Sequence, residues 1–255
     1  MKTFAFSFVG VMAVMIGFSG KPAHAALTIT PSAFIGSGGA GTGESLAGDR
    51  FRSFAPTAGD ENYLGVPNVG TPANRVAQQL NWMNPDNSLQ SFDFTFQYDQ
   101  ANDKLVSTIF GGTINWNNWS TSLTTLGKTK GAADLNAFQI SITLRDTASN
   151  VYLTDLLLDG AVLGGFNGVL GTTQNWLVTG SDMNLTDGFT LTGKLWLQGA
   201  FSGSQEFSAV NLNAGWDDRG VPPAGAVPEP ASIAVWSLLG LTIGGAGWRR
   251  RKRSA

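Results

Sequence analysis

The sequence predicts an all-β exported domain, an antiparallel two-sheet sandwich of jelly-roll type, with an N-terminal signal peptide before it and one membrane-crossing helix after it. Three observations carry that expectation. Apolar and polar residues alternate with a period of two in several stretches; Gly, Asn, Asp and Ser interrupt them at short intervals; and no segment between the two ends of the chain has a convincing apolar period of 3.6 residues. Short strands with antiparallel neighbours are what a sandwich needs, its inward faces filling a space of roughly 10 Å between sheets.

The chain is read in four parts: a signal peptide over 1–25, an exported domain over 26–220, a linker over 221–227 and a C-terminal segment over 228–255. Lys2 supplies the positive start, residues 4–18 are apolar apart from small residues and Ser7, and Ala23-His24-Ala25 offers the small residues that signal peptidase requires. The expected cut follows Ala25. A retained first membrane helix is the rival reading, weakened because the run is short and Ser19-Gly20-Lys21-Pro22 breaks it.

A strand is expected over 27–30, then loop through the Gly-rich residues 36–70, and residues 73–80 are the best helical candidate. Phe92, Phe94, Phe96 and Tyr98 alternate with Asp93, Thr95 and Gln97, the mark of a half-buried strand; turn residues 99–103 and a return over 104–110 complete a hairpin. The same device is expected twice more, with 138–144 returning as 151–158 and 189–197 returning as 206–212. Weaker strands are read at 113–116, 160–170 and 176–179, and 115–133 as loop or edge strand.

Charge excludes one class of partner. Residues 26–230 hold all 18 acidic residues and nine basic ones, so their formal charge is 9 minus 18, or −9, which repels phosphate backbones and argues against nucleic acid. There is no cysteine, and the single histidine, His24, leaves with the signal peptide; the mature domain therefore lacks the groups for a Cys/His zinc site, a Ser-His-Asp triad or a Cys-His dyad. No metal and no cofactor is expected. Gly36, Gly38 and Gly41, with Asp60 and Glu61 downstream, spell a dinucleotide fingerprint without the strand and helix that give it meaning, so a flexible loop explains them better.

Carboxylates remain for acid–base chemistry. The pairs Asp60/Glu61, Asp155/Asp159 and Asp217/Asp218 are close in sequence, but adjacent strand residues face opposite ways, which suits a catalytic pair poorly. Asp99, Asn102 and Asp103 could gather calcium, yet a hairpin turn selects the same residues for backbone reasons. Asn118-Trp119-Ser120 and Asn184-Leu185-Thr186 fit the glycosylation pattern. Trp82, Trp116, Trp119, Trp176, Trp196 and Trp216 allow two readings: rings that fill the core or cover an edge, or an exposed surface that stacks on sugar rings. Trp196 is the candidate for glycan contact, because its alternation points it away from the core.

The C-terminus is a short turn, an apolar run and a basic stop. The 18 residues 231–248 carry no charge, and a helix of that length is about 27 Å long, close to the roughly 30 Å of bilayer hydrocarbon. Arg249, Arg250, Arg251, Lys252 and Arg253 should remain cytoplasmic and so orient the rest of the chain outside. Gly240 and Gly244 form a G-x-x-x-G that serves helix packing or only reflects small residues.

Pro228-Glu229-Pro230, one short hydrophobic helix and an Arg-rich end together resemble the PEP-CTERM sorting signal. The resemblance covers about an eighth of the chain. It implies that the partner is exosortase, a multi-span membrane enzyme with a Cys-His-Arg type site that cleaves near the triplet, and that Pro228, Glu229 and Pro230 are recognition residues and not catalytic ones. It also implies a passage through the inner membrane of a Gram-negative-type bacterium to the cell surface or extracellular matrix, where exopolysaccharide would be a further partner. The expectation is a non-enzymatic exported protein, against two rivals: a permanent single-pass anchor, and a carbohydrate-binding or carbohydrate-active sandwich.

Overall fold

The computed structural model describes residues 27–31, 43–52, 60–67, 75–80, 89–145, 150–180, 183–198 and 208–218. These form strands β1 (Thr28–Pro31), β2 (Gly43–Arg52), β3 (Asp60–Gly65), β4 (Arg75–Leu80), β5 (Gln90–Asp99), β6 (Lys104–Ile109) and β7 (Gly112–Asn117), helix α1 (Trp119–Thr125), and strands β8 (Ala137–Leu144), β9 (Asn150–Leu158), β10 (Ala161–Asn167), β11 (Thr172–Thr179), β12 (Phe189–Gln198) and β13 (Ala209–Asp217). Two antiparallel sheets result. One has seven strands in the order β1-β11-β8-β13-β2-β3-β4, the other six in the order β10-β9-β12-β5-β6-β7. The all-β, two-sheet expectation is correct at this level.

Two-fold alternation decides which side of each strand is dry. In β5, Phe94, Phe96 and Tyr98 are buried while Asp93, Thr95 and Gln97 lie on the outer side, and β12 repeats this with Phe189, Leu191, Leu195 and Leu197 inward. Gly193 continues that inward series because a Cβ there would come within 2.5 Å of Leu156 Cδ2. The two sheets meet through rings: Phe138 of β8 lies 6.0 Å from Phe96 and 5.7 Å from Phe189, and Phe51 of β2 lies 5.5 Å from Phe94. Leu46, Leu64, Leu105 and Ile109 close the remaining space. Such edge-on aromatic contacts add about 0.5–1.5 kcal/mol each beyond the area they bury.

Helix α1 seals one end of the sandwich. Its first residue, Trp119, is fully buried, stands edge-on to Tyr98 at 4.7 Å and donates its indole N–H to the Leu46 carbonyl at 3.2 Å. The Ser120 backbone N–H is taken by the Asp103 carboxylate at 2.8 Å, so the β5–β6 turn caps the helix from a distance.

A polar cluster crosses the interior between β2, β3 and β6. Asn62 Nδ2 donates to Ser107 Oγ at 2.9 Å, and Ser107 donates to Asp49 Oδ2 at 2.6 Å; all three residues are fully buried. Asp49 Oδ1 and Asn62 Oδ1 have no partner among the described residues. Burial pushes the Asp49 carboxyl well above the ordinary aspartate range, against the weaker opposing pull of Ser107 and the Arg50 backbone N–H.

Four expectations need correction. The strands of the second and third expected hairpins exist, but each pair is split between sheets: β8 pairs β11 and β13, β9 pairs β10 and β12, and β12 pairs β5 and β9. Alternation fixes the buried face of a strand, and both members face the same interior from opposite sides. Only the first hairpin, β5–β6, pairs as expected, over its 3₁₀ turn Gln100–Asn102. Residues 75–80 are not helical but form edge strand β4, with Val76 packed on the core and Arg75 and Ala77 outward; pairing with β3 overrides helix propensity. The expected loop 36–70 contains β2 and β3; of 115–133, expected as loop or edge strand, residues 115–117 do belong to edge strand β7, but Trp119–Thr125 form helix α1. Among the described residues no helix is long and apolar enough to cross a membrane; the expected signal peptide, the run 231–248 and the basic residues after it lie outside the described residues.

The raised Asp49 pKa sets a direction for pH. The folded state holds this proton more tightly than the unfolded chain, so its contribution is complete below about pH 4 and is lost as pH rises through the folded value. Asp49→Asn should therefore raise the melting temperature at pH 7, by about 2–4 °C for each kcal/mol recovered, with the gain vanishing near pH 4. A variant less stable than the parent at pH 7 would mean that the carboxylate is ionised and favourably paired.

Candidate functional site

The outer face of the six-stranded sheet carries the side chains that the core does not use. Reading across the strands in register, Asn167 (β10) pairs with Tyr152 (β9), Tyr152 with Trp196 (β12) and Trp196 with Ser91 (β5). Neighbouring rows hold Thr154, Lys194 and Asp93, and Asn150 with Gln198. Farther along, Thr192, Thr95, Thr108 and Thr113 form a hydroxyl row over four strands.

Trp196 lies on this outer face, as its alternation with Leu195 and Leu197 predicts. Its ring stacks on Tyr152, with centroids 5.6 Å apart and planes 11° apart. The indole N–H donates to Thr154 Oγ1 at 2.8 Å, which fixes the ring orientation, and Asn150 Nδ2 donates to Gln198 Oε1 at 3.0 Å beside it. Both aromatic side chains are half-buried. Tyr152 was not singled out in the sequence, although it occupies the outward position between Val151 and Leu153 and could have been found by the same alternation.

A preoriented aromatic pair bordered by amides and hydroxyls can do one thing well. It offers an apolar surface to the C–H side of a ring and hydrogen-bonding groups to its polar edge.

The other tryptophans divide by role. Trp119 is in the core; Trp116 and Trp176 are half-buried against it, Trp176 touching Phe166 at 4.9 Å. Trp216 lies under the Lys130 ammonium, 4.3 Å from its ring centre, and Trp82 is outside the described residues. Core filling therefore accounts for three of the six.

The carboxylate pairs are not brought together for chemistry among the described residues. Glu61 accepts from Arg52 and from the Tyr63 hydroxyl, Asp159 accepts from the Thr190 N–H at 2.8 Å, Asp155 is exposed where β9 is irregular, and Asp217 is buried at the end of β13 while Asp218 is exposed. The side chain of Asp60 lies outside the described residues, as do Gly36, Gly38 and Gly41. Asp99 accepts from the N–H and the amide of Asn102, at 3.3 and 2.7 Å, and Asp103 adopts a left-handed φ of 47°, so this turn uses its oxygens itself. Among the described residues no cluster of three or more His, Cys, Asp or Glu is placed to hold a metal ion. Asn184 accepts from Thr186 within its own turn, and Asn118 is an exposed left-handed residue before α1.

Ala23, Ala25, Pro228, Glu229, Pro230 and residues 249–253 lie outside the described residues. Residues 226–252 match the PEP-CTERM protein-sorting motif. The chain thus carries a sorting motif at the place where its C-terminal residues resemble one. No curated protein shows significant similarity to the chain.

Truncation should separate the two kinds of tryptophan. In urea denaturation, Trp119→Ala is expected to lose about 3–5 kcal/mol, whereas Trp196→Ala should lose no more than about 1.5 kcal/mol, the worth of one stacked pair. The opposite ranking would place Trp196 in the load of the core.

Proposed function

We propose that this chain is an exported, non-enzymatic surface protein, delivered by an exosortase that recognises Pro228-Glu229-Pro230, and that the sandwich is its working part at the cell surface or in the extracellular matrix. The observation that carries the reading is the motif match over 226–252, which contains the triplet, the apolar run and four of the five terminal cations. In this reading the signal peptide 1–25 starts export and residues 231–248 hold the precursor in the inner membrane until cleavage. Support for a non-enzymatic domain comes from the residue types: the chain has no cysteine, its one histidine is His24, and Glu61, Asp99 and Asp159 spend their oxygens on neighbouring strands and turns.

A second reading concerns what the domain touches. The Tyr152–Trp196 stack, held by Thr154 and bordered by Asn150, Gln198, Asn167 and Ser91, favours contact with neutral sugar rings such as those of an exopolysaccharide.

Replacing Pro228, Glu229 and Pro230 with alanine should leave a full-length, uncleaved chain in the membrane fraction, read by intact mass; normal surface delivery of that variant would defeat the sorting proposal. An intact Arg-rich terminus on the mature wild-type protein would favour a permanent anchor instead. For the glycan reading, the full chain in neutral detergent should be retarded in gels containing a neutral polysaccharide, and Trp196→Ala should abolish the retardation. Unchanged retardation in that variant would remove the stack from the binding surface.

A further inference from the structure

The outer face of the seven-stranded sheet carries a second constellation, built by β2, β3 and β4. Tyr63 lies between two guanidinium groups, with Arg52 Cζ 4.2 Å and Arg75 Cζ 4.1 Å from its ring centre, and only 5% of the tyrosine is exposed. Glu61 accepts from Arg52 Nε at 3.0 Å and Nη2 at 2.5 Å, and also from the Tyr63 hydroxyl, so the charge of Arg52 and the polar end of Tyr63 are matched inside the cluster. Arg75 differs. It is exposed, its contact is the face of Tyr63, and among the described residues it makes no ion pair.

Stacking orients a guanidinium without consuming its donors, because the N–H groups lie in its plane and the ring lies above that plane. Arg75 is thus held over the ring at an exposed position, with its N–H donors unspent on the described residues. Arg50 stands opposite Tyr63 in the next strand, and in the same register row β13 contributes Asn211 and β11 contributes Asn175, all three partly exposed. Arg50, Arg52 and Arg75 lie together with Glu61 on this face, in a region (26–230) whose formal charge is −9. Three of the nine cations of that region therefore share one small patch, where ordinary solubilising charge would be dispersed.

We propose that this face binds the carboxylates of an acidic polysaccharide, with Arg75 as the bidentate donor and Asn211 and Asn175 extending the track to neighbouring carboxyl and hydroxyl groups. Planar carboxylates match the guanidinium fork in two parallel hydrogen bonds. A polymer suits the site because a single exposed contact of this kind is weak and several along a chain add by effective concentration. The choice of a polysaccharide over another polyanion rests on the extracellular placement proposed above; the anion chemistry of the face does not. The site is on the sheet opposite the Tyr152–Trp196 pair, so the two do not compete for one ligand.

The test is affinity electrophoresis of the full chain carrying Trp196→Ala, which silences the aromatic pair on the other sheet, in neutral detergent against polygalacturonate, its methyl-esterified form and inorganic phosphate as competitor. Binding to polygalacturonate is expected, weakening steeply with salt and lost on esterification. Arg75→Gln should weaken it roughly tenfold, the worth of one charge-assisted hydrogen-bond pair, while Lys104→Gln, which removes the same charge from the other sheet, should leave it unchanged. Equal weakening by both variants would reduce the effect to net charge, binding of the esterified polymer would remove the carboxylate from recognition, and displacement by phosphate at equal anion concentration would make the site a general anion patch; each overturns the proposal. Retained binding in the alanine-substituted Pro228-Glu229-Pro230 variant is expected, because the face is independent of sorting, and loss of sorting therefore leaves this result standing.

Discussion

Everything in this molecule depends on the aromatic layer between the two sheets. With no cysteine in the chain, no covalent cross-link can hold the sheets together, and the contact of Phe138 with Phe96 and Phe189 must do so with the leucines and isoleucines around it. That requirement commits one face of nearly every strand to the interior. The opposite faces are left to water, and it is there that the structure keeps its unspent chemistry: a stacked Tyr152–Trp196 pair on one sheet and a tyrosine held between arginines on the other.

The interior is not wholly apolar. Asp49, Ser107 and Asn62 link β2 and β3 of one sheet to β6 of the other, through groups that are costly to bury unless paired. Two oxygens of this cluster lack partners among the described residues. A chain of hydrogen bonds that runs from one sheet to the other has only one satisfactory alignment, whereas leucine against leucine tolerates several. Relative to an apolar filling the cluster costs stability, and its hydrogen bonds tie β2 and β3 to β6 at Asp49, Asn62 and Ser107.

Period-two alternation made the fold class legible, and with it the inward Phe94, Phe96 and Tyr98 and the outward Trp196. What it could not supply was partnership. Residues 138–144 and 151–158 are each correctly strands, yet a short link between two amphipathic strands serves equally well to turn within a sheet or to step across the core, because both outcomes bury the same side chains. Arg75, Val76 and Ala77 read as helix because local propensity favours it, and the edge of β3, which needs a hydrogen-bonding partner, is invisible in sequence. The site was half legible for the same reason: Trp196 shows its direction within its own strand, but its pairing with Tyr152, and that of Tyr63 with Arg52 and Arg75, is created by register between strands far apart in the chain.

Which strands share a sheet decides the rest, since that assignment puts the aromatic pair and the arginine cluster on opposite outer faces. The chain has no native cysteine, so introduced pairs report on proximity without interference. Thr143 of β8 and Thr173 of β11 are register partners whose hydroxyl oxygens are 2.9 Å apart on the exposed face. The double substitution Thr143→Cys with Thr173→Cys should oxidise in air to an intramolecular disulfide, seen as a loss of two hydrogens by intact mass. Failure there, with a disulfide forming instead between Thr143→Cys and Tyr152→Cys, would show that β8 and β9 are a hairpin within one sheet and would contradict the fold described.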